Sequence, residues 1–212
     1  MAPAWFESLR RRWLLYHLAD PEFAFLYDPP PADEWVALDT ETTGLDVHRD
    51  QIVSIGAVRI TGNRLLTSQR LELLVRPERA MKLDAVRVHR LREADVAHGM
   101  DPAAAMRQLL AFIGSRPLVG YYLEFDVAML NREIWPLLGV RLPQPKIEVS
   151  AMYYDLKNRH LPAHERGGSI DLRFATMMND LGLPLRDAHD ALNDAVMAGL
   201  AFVKLRHLLA SR

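Results

Sequence analysis

Asp39 and Glu41 stand one residue apart, at the end of the apolar run Trp35-Val36-Ala37-Leu38 and just before Thr42-Thr43-Gly44. A strand alternates its side chains, so residues i and i+2 share a face. The two carboxylates therefore project side by side from a strand end, and as anions they repel each other. A hard divalent cation with oxygen ligands removes the repulsion. The plain alternative is a solvated strand end, which is what most isolated D-x-E pairs are. An apolar strand before the pair, a Gly-containing turn after it and two acidic positions downstream favour the metal.

Asp126 is the first of those positions. It follows the short apolar stretch Leu118-Val119-Gly120 and falls in the first turn of a helix. A carboxylate there suits the helix dipole whatever else it does. Asp194 is the second, on a helix where Ala191, Ala195 and Ala198 line nearly one face. Small residues let a helix approach a sheet closely. An Asp on that side is costly to bury unpaired, and a metal shared with Asp39 and Glu41 would compensate it. The alternative is an Asp facing solvent, among alanines chosen for helix propensity. His189 lies five positions before Asp194, about 140° away on an ideal helix. To serve the same site it must lean in from the helix start, which suits a general base that meets a water. As a lone residue, a histidine is more often a surface group.

These residues need elements to carry them. Residues 35–40 read as a strand, 52–60 as a second and 65–75 as a third, with Gly62-Asn63 as a hairpin turn. Helical spacing follows at 102–113, with Asp101 as N-cap and Pro102 in the first turn, and at 124–138. Short helical pieces are expected within 82–96 and a last strand over Ile147–Met152. Helices follow over 171–181 and 190–209. At the start, 5–17 reads as an amphipathic helix, and Pro21, Pro29, Pro30 and Pro31 mark 20–33 as an irregular connector. Residues 157–169 read as a loop beside the site. His160 and His164 in it stand at i, i+4, but Pro162 argues against a helix and no cysteine is near, which disfavours a zinc site, and Lys157, Arg159 or Arg166 could meet phosphate. The order gives an α/β domain with a mixed five-stranded sheet flanked by helices. Residues 1–33 are read as a helical extension and 34–212 as the main domain. The extension's helix packs on its own domain or docks a protein partner.

The 212 residues suffice to bury a core without staples. Cysteine is absent, which excludes disulfides and thiolate zinc sites and fits a reducing, cytoplasmic setting. The formal net charge of −1 excludes a strongly basic duplex binder, so any nucleic-acid contact is local or metal-assisted. No apolar run is long enough for a membrane span, and no signal peptide is read at the start.

Three stretches together resemble the motifs of the DEDDh branch of the DnaQ-like 3′–5′ exonucleases: D-T-E-T-T-G at 39–44, F-D at 125–126 and H-x-A-x-x-D at 189–194. The resemblance covers residues 35 to about 205. It implies a ribonuclease-H-like fold and two Mg²⁺ or Mn²⁺ ions held by Asp39, Glu41, Asp126 and Asp194, about 3.5–4 Å apart. His189 would deprotonate the attacking water, and nucleoside 5′-monophosphates would leave from single-stranded DNA or RNA 3′ ends. The resemblance also implies that Thr42, Thr43, Gly44 and Leu45 lie along the terminal nucleotide. Val88-His89-Arg90-Leu91 is similar to the family's V-H-G-I segment, which implies a substrate contact for His89, with Arg90 in place of glycine. Tyr121-Tyr122 replaces the His-Asn of many relatives. A tyrosine here, such as Tyr122, could stack on a base or be structural at a strand end. Two rival readings remain: a catalytically weak binding or regulatory module of the same fold, and an enzyme confined to RNA ends.

Overall fold

The computed structural model describes residues 4–159, 162, 167–187 and 189–211, and of residues 4–8 the backbone alone. Five strands form one mixed sheet in the order β3-β2-β1-β4-β5. They are β1 (Glu34–Thr42), β2 (Ile52–Thr61), β3 (Arg64–Leu74), β4 (Leu118–Gly120) and β5 (Lys146–Glu148). β1 pairs antiparallel with β2 and parallel with β4, and β4 runs parallel to β5. The first three strands are thus a meander turned at Gly62 (φ 58°) and Asn63. This is the ribonuclease-H-like α/β fold.

The alternation of β1 divides the molecule. Val36 and Leu38 point into one core with α4 (Pro102–Ile113) and α5 (Leu123–Leu138). Ala37 points into the other, with α6 (Val149–Arg159), α7 (Phe174–Asp180) and α8 (Ala191–Ala210). Along the same strand, odd-numbered Asp39 and Glu41 follow Ala37 toward α8, and Thr40 follows Leu38 toward α5. Two short helices, α2 (Leu83–His89) and α3 (Glu93–Val96), connect the meander to α4. Asp101 caps α4, accepting from the Ala104 amide at 3.1 Å, with Pro102 in its first turn.

The N-terminal segment is part of the first core. Helix α1 (Ala4–His17) leads into a 3₁₀ helix at Pro21–Tyr27. Leu18, Phe23, Leu26 and Tyr27 are buried in the same cluster as Val36 and Leu38. Of the stretch 20–33 expected to be irregular, Pro21–Tyr27 is helical, because Asp20 accepts from the Glu22 amide at 3.0 Å ahead of Pro21 at the first turn, and 28–33 is the irregular connector. A second expectation is also corrected. The last strand ends at Glu148, and Val149–Met152 are the start of α6. The Glu148 carboxylate accepts from the Ser150 amide and hydroxyl at 3.1 and 2.8 Å, which turns the chain out of the sheet. No helix among the described residues is long and apolar enough to cross a membrane.

Gly56 is the point where α8 meets the sheet. It lies opposite Asp39 in the β1–β2 register. A Cβ there would sit 2.1 Å from the Ala191 carbonyl carbon and 2.2 Å from the Leu192 nitrogen. Those are backbone atoms, so no rotamer change relieves the clash. Gly56→Ala is expected to cost about 3 kcal/mol or more by overpacking, read as a lower midpoint in urea unfolding. Activity should fall as well, because the start of α8 is displaced from Asp39.

Candidate active site

Four acids converge where β1 passes between α5 and α8. Asp39 and Glu41 leave β1 on the α8 side. Asp194 comes down on them from the first turn of α8, whose N-cap Asp190 accepts from the Asn193 amide at 2.8 Å. Asp126 arrives from the α5 side, 4% exposed. Its Oδ1 accepts two hydrogen bonds from Thr40, 3.0 Å from the amide and 2.6 Å from the hydroxyl. The Thr40 amide is free for this because the pairing of β1 with β4 covers only Val36 and Ala37. Thr40 is a site residue that the motif reading missed. The signal was present, since the middle residue of D-T-E must face the opposite side from its neighbours. Glu148 was missed too. Its Oε2 accepts from the Leu123 amide at 3.0 Å and so caps α5, whose own N-cap Tyr122 makes no side-chain capping bond.

All four acids are held above their ordinary range. Burial raises Asp39 most, followed by the charges of Asp126, Asp194 and Glu41. Burial and then Asp194 and Asp126 push Glu41 up to about 8. Burial lifts Asp126 to about 7 against the two Thr40 hydrogen bonds. Burial raises Asp194 against the opposing His189 amide. The Asp194 Oδ1 is buried and has no hydrogen-bond partner. Such an acceptor costs about 1–3 kcal/mol unless something satisfies it. A crowded set of hard oxygen donors with one orphaned atom fits a divalent cation.

His189 sits ahead of α8 in the left-handed region, φ 66°. Its amide donates to Asp194 Oδ2 at 2.9 Å. That bond holds the turn and aims the ring at the acids. Ligand atoms of Glu41, His189 and Asp194 lie within 4.8 Å of one another. The ring thus leans in from the helix start, as its five-residue separation from Asp194 required. His160 and His164 fall outside the described residues, as does Arg166.

A cleft of about 450 Å³ opens beside Glu41, within the range of small-ligand sites. Thr42, Gly44 and Leu45 form one wall, and α2 with His89 forms the other. Leu45 is exposed to the cleft mouth. His89 Nδ1 accepts from the Leu91 amide at 3.1 Å, so its Nε2 carries the proton, and Nε2 is buried without a hydrogen-bond partner. Burial pushes its pKa down against the raising effect of the Thr42 backbone, and the nearby His189 adds to the lowering, so the ring is a neutral donor. Arg90 ends α2 in the left-handed region at φ 62°. That is the conformation for which glycine is favoured.

Thr43 does not line the cleft. It is buried and holds the turn together: its amide donates to the Gln51 carbonyl at 2.8 Å and its hydroxyl to Asp50 at 3.2 Å. Buried Asp50 also accepts from the Asp46 amide at 2.8 Å and from Lys82 Nζ at 2.6 Å. Burial raises its carboxyl, but Lys82, Asp46 and Thr43 together outweigh that and hold it below its ordinary value. The Asp50–Lys82 pair thus ties the turn to α2 and joins the two cleft walls. Tyr122 also lies off the cleft, exposed at the start of α5. Two clefts of comparable size, about 500 and 610 Å³, lie on the outer face of α5 and between α1 and residues 143–145. Neither contains the acid cluster.

The raised carboxyls make stability depend on pH. The folded protein holds protons that the unfolded chain, titrating near pH 4, has lost. Without divalent ions, the contribution of these acids to stability is therefore greatest below that range and falls as pH rises through about 7 and 8. The expected loss between pH 5 and 9 is on the order of 2–4 kcal/mol, or roughly 4–16 °C in Tm. Mg²⁺ or Mn²⁺ should restore it, more at high pH than at low. Calorimetry in EDTA and in metal across that range checks this, and a metal effect equal at pH 5 and pH 9 would contradict it.

The family model described as Exonuclease (RNase T) matches residues 36–202. A DNA polymerase III subunit epsilon of Rickettsia felis is 34% identical over 176 residues, covering 80% of this chain and 72% of that protein. A DNA polymerase III subunit epsilon-like protein of Rhodobacter capsulatus is 31% identical over 182 residues, 84% of this chain. The chain spans only 24% of that relative, and 12% of a PolC-type DNA polymerase III of Thermotoga maritima. Among solved structures, Escherichia coli exonuclease I in complex with a dA16 oligonucleotide superposes with a TM-score of 0.69 at 16% identity, over 82% of this chain and 40% of that one. Exonuclease X in complex with 5′ overhanging duplex DNA gives 0.59 at 22% identity, over 82% and 91%.

Proposed function

We propose a function for this chain from the premise that it belongs to the exonuclease family. It is a divalent-metal-dependent 3′–5′ exonuclease that removes nucleoside 5′-monophosphates from the 3′ ends of single-stranded DNA, and of RNA. The observation that carries this reading is the convergence of Asp39, Glu41, Asp126 and Asp194, all raised in pKa, around an orphaned Asp194 oxygen. Those four would hold two Mg²⁺ or Mn²⁺ ions. The chemistry such ions supply is neutralisation of the scissile phosphate and stabilisation of the attacking and leaving oxygens of an in-line displacement.

The chain's own residues do the rest. His189 takes the proton of the attacking water on its ring nitrogen. Thr40 fixes the Asp126 carboxylate. The cleft beside Glu41 takes the terminal nucleotide between Leu45 and α2, with His89 Nε2 as a neutral donor. Thr43, through Asp50, keeps that wall rigid. The exonuclease I and exonuclease X structures contain single-stranded and overhanging DNA, which supports an unpaired strand as substrate. A chain with a net charge of −1 can act on it because the site is metal-assisted.

The test is a time course on 5′-labelled DNA and RNA of one sequence, in Mg²⁺, in Mn²⁺ and in EDTA. A ladder that shortens from the 3′ end in metal and is absent in EDTA is expected, and the DNA-to-RNA ratio assigns the substrate. Binding without cleavage of either strand would replace this reading with that of a binding module.

A further inference from the structure

Tyr121 and Tyr122 leave β4 beside the acid cluster. β4 runs parallel to β1 and ends at Gly120, so Tyr121 and Tyr122 follow it at the end of the sheet where β1 carries Asp39 and Glu41. The two tyrosines do different things. Tyr121 is a buttress: its hydroxyl donates to the Leu172 carbonyl at 3.0 Å, and its ring stacks on Phe174 at 4.5 Å and 17°. Tyr122 stands edge-on against Tyr121, with centroids 4.7 Å apart at 71°. It is 67% exposed and makes no capping bond.

Its backbone lies at φ 54°. An L-residue avoids this region, and tyrosine lacks the short polar side chain that lets asparagine tolerate it. Strain of this kind persists where the surroundings hold it, and it gathers at ligand sites. Here three rings hold a large apolar surface open to solvent four residues before Asp126. We infer that Tyr122 is a stacking platform for the base of the penultimate nucleotide, backed by Tyr121 and Phe174, and that it selects unpaired 3′ ends. The inference rests on the exonuclease reading above. A base engaged in a duplex stack is not available to the ring. An unpaired one stacks whatever its identity, because every base has a π-face.

The test compares two single-stranded oligonucleotides that differ only in an abasic penultimate residue. Wild type, Tyr122→Phe and Tyr122→Asn are used; asparagine keeps the left-handed turn. Removing the base should raise KM of wild type and of Tyr122→Phe by about 5- to 100-fold. Tyr122→Asn should treat the two strands alike, at the level of wild type on the abasic one, with kcat on both strands changed much less than KM. Continued discrimination by Tyr122→Asn, or none by wild type, overturns the inference while leaving the exonuclease reading intact. Failure of wild type to cleave either strand overturns both.

Discussion

Asp194→Ala abolishes hydrolysis, lowering kcat by at least about 10³-fold, the rate equivalent of losing several kcal/mol of metal-based stabilisation. The fold survives, because two opposed effects nearly cancel. The substitution removes the carboxylate that accepts from the His189 amide at 2.9 Å, worth about 1 kcal/mol. It also removes a buried oxygen that has no partner and a charge that raises Asp39 and Glu41. In EDTA its Tm should therefore lie within about 4 °C of the wild type, while the rise in Tm on adding Mn²⁺ is lost. An active, folded Asp194→Ala enzyme would rule out this metal site.

His189→Asn loses about 10²- to 10⁴-fold in kcat, the range for removal of a general base, yet still binds metal. Asparagine is the informative replacement because position 189 has φ 66°, which asparagine tolerates. The backbone bond to Asp194 is kept, and only the ring is lost. The ring lies within 4.8 Å of ligand atoms of both Glu41 and Asp194, so it could in principle be a ligand itself. Metal affinity separates the roles. A base leaves the Mn²⁺ Kd of the variant near that of wild type. A Kd weakened in step with kcat would make His189 a ligand.

The acids were legible in the sequence because their signals are local. D-T-E gives a shared face by alternation alone, and F-D and H-x-A-x-x-D follow in chain order. The roles of Thr40, Gly56 and Glu148 were not legible, because each depends on a partner far along the chain. Thr40 reaches Asp126, Gly56 meets Ala191, and Glu148 caps α5 at Leu123. The Tyr121–Phe174 stack is hidden in the same way, by 53 residues of separation. Two local readings failed for a different reason. Asp20-Pro21 carries the same start signal as Asp101-Pro102, but three further prolines, Pro29, Pro30 and Pro31, masked it. Val149–Met152 prolongs the apolar character of β5, and only the Glu148 bonds to Ser150 end the strand.

In the proposed mechanism Asp39, Glu41, Asp126 and Asp194 form a centre for two divalent ions. This is tested most directly by counting Mn²⁺ bound per chain, from the loss of the free-ion electron paramagnetic resonance signal, with a nucleoside 5′-monophosphate present. Wild type should saturate at two ions, and Asp39→Asn at one or none. No saturable binding by wild type, or an unchanged count and affinity in Asp39→Asn, would contradict the account.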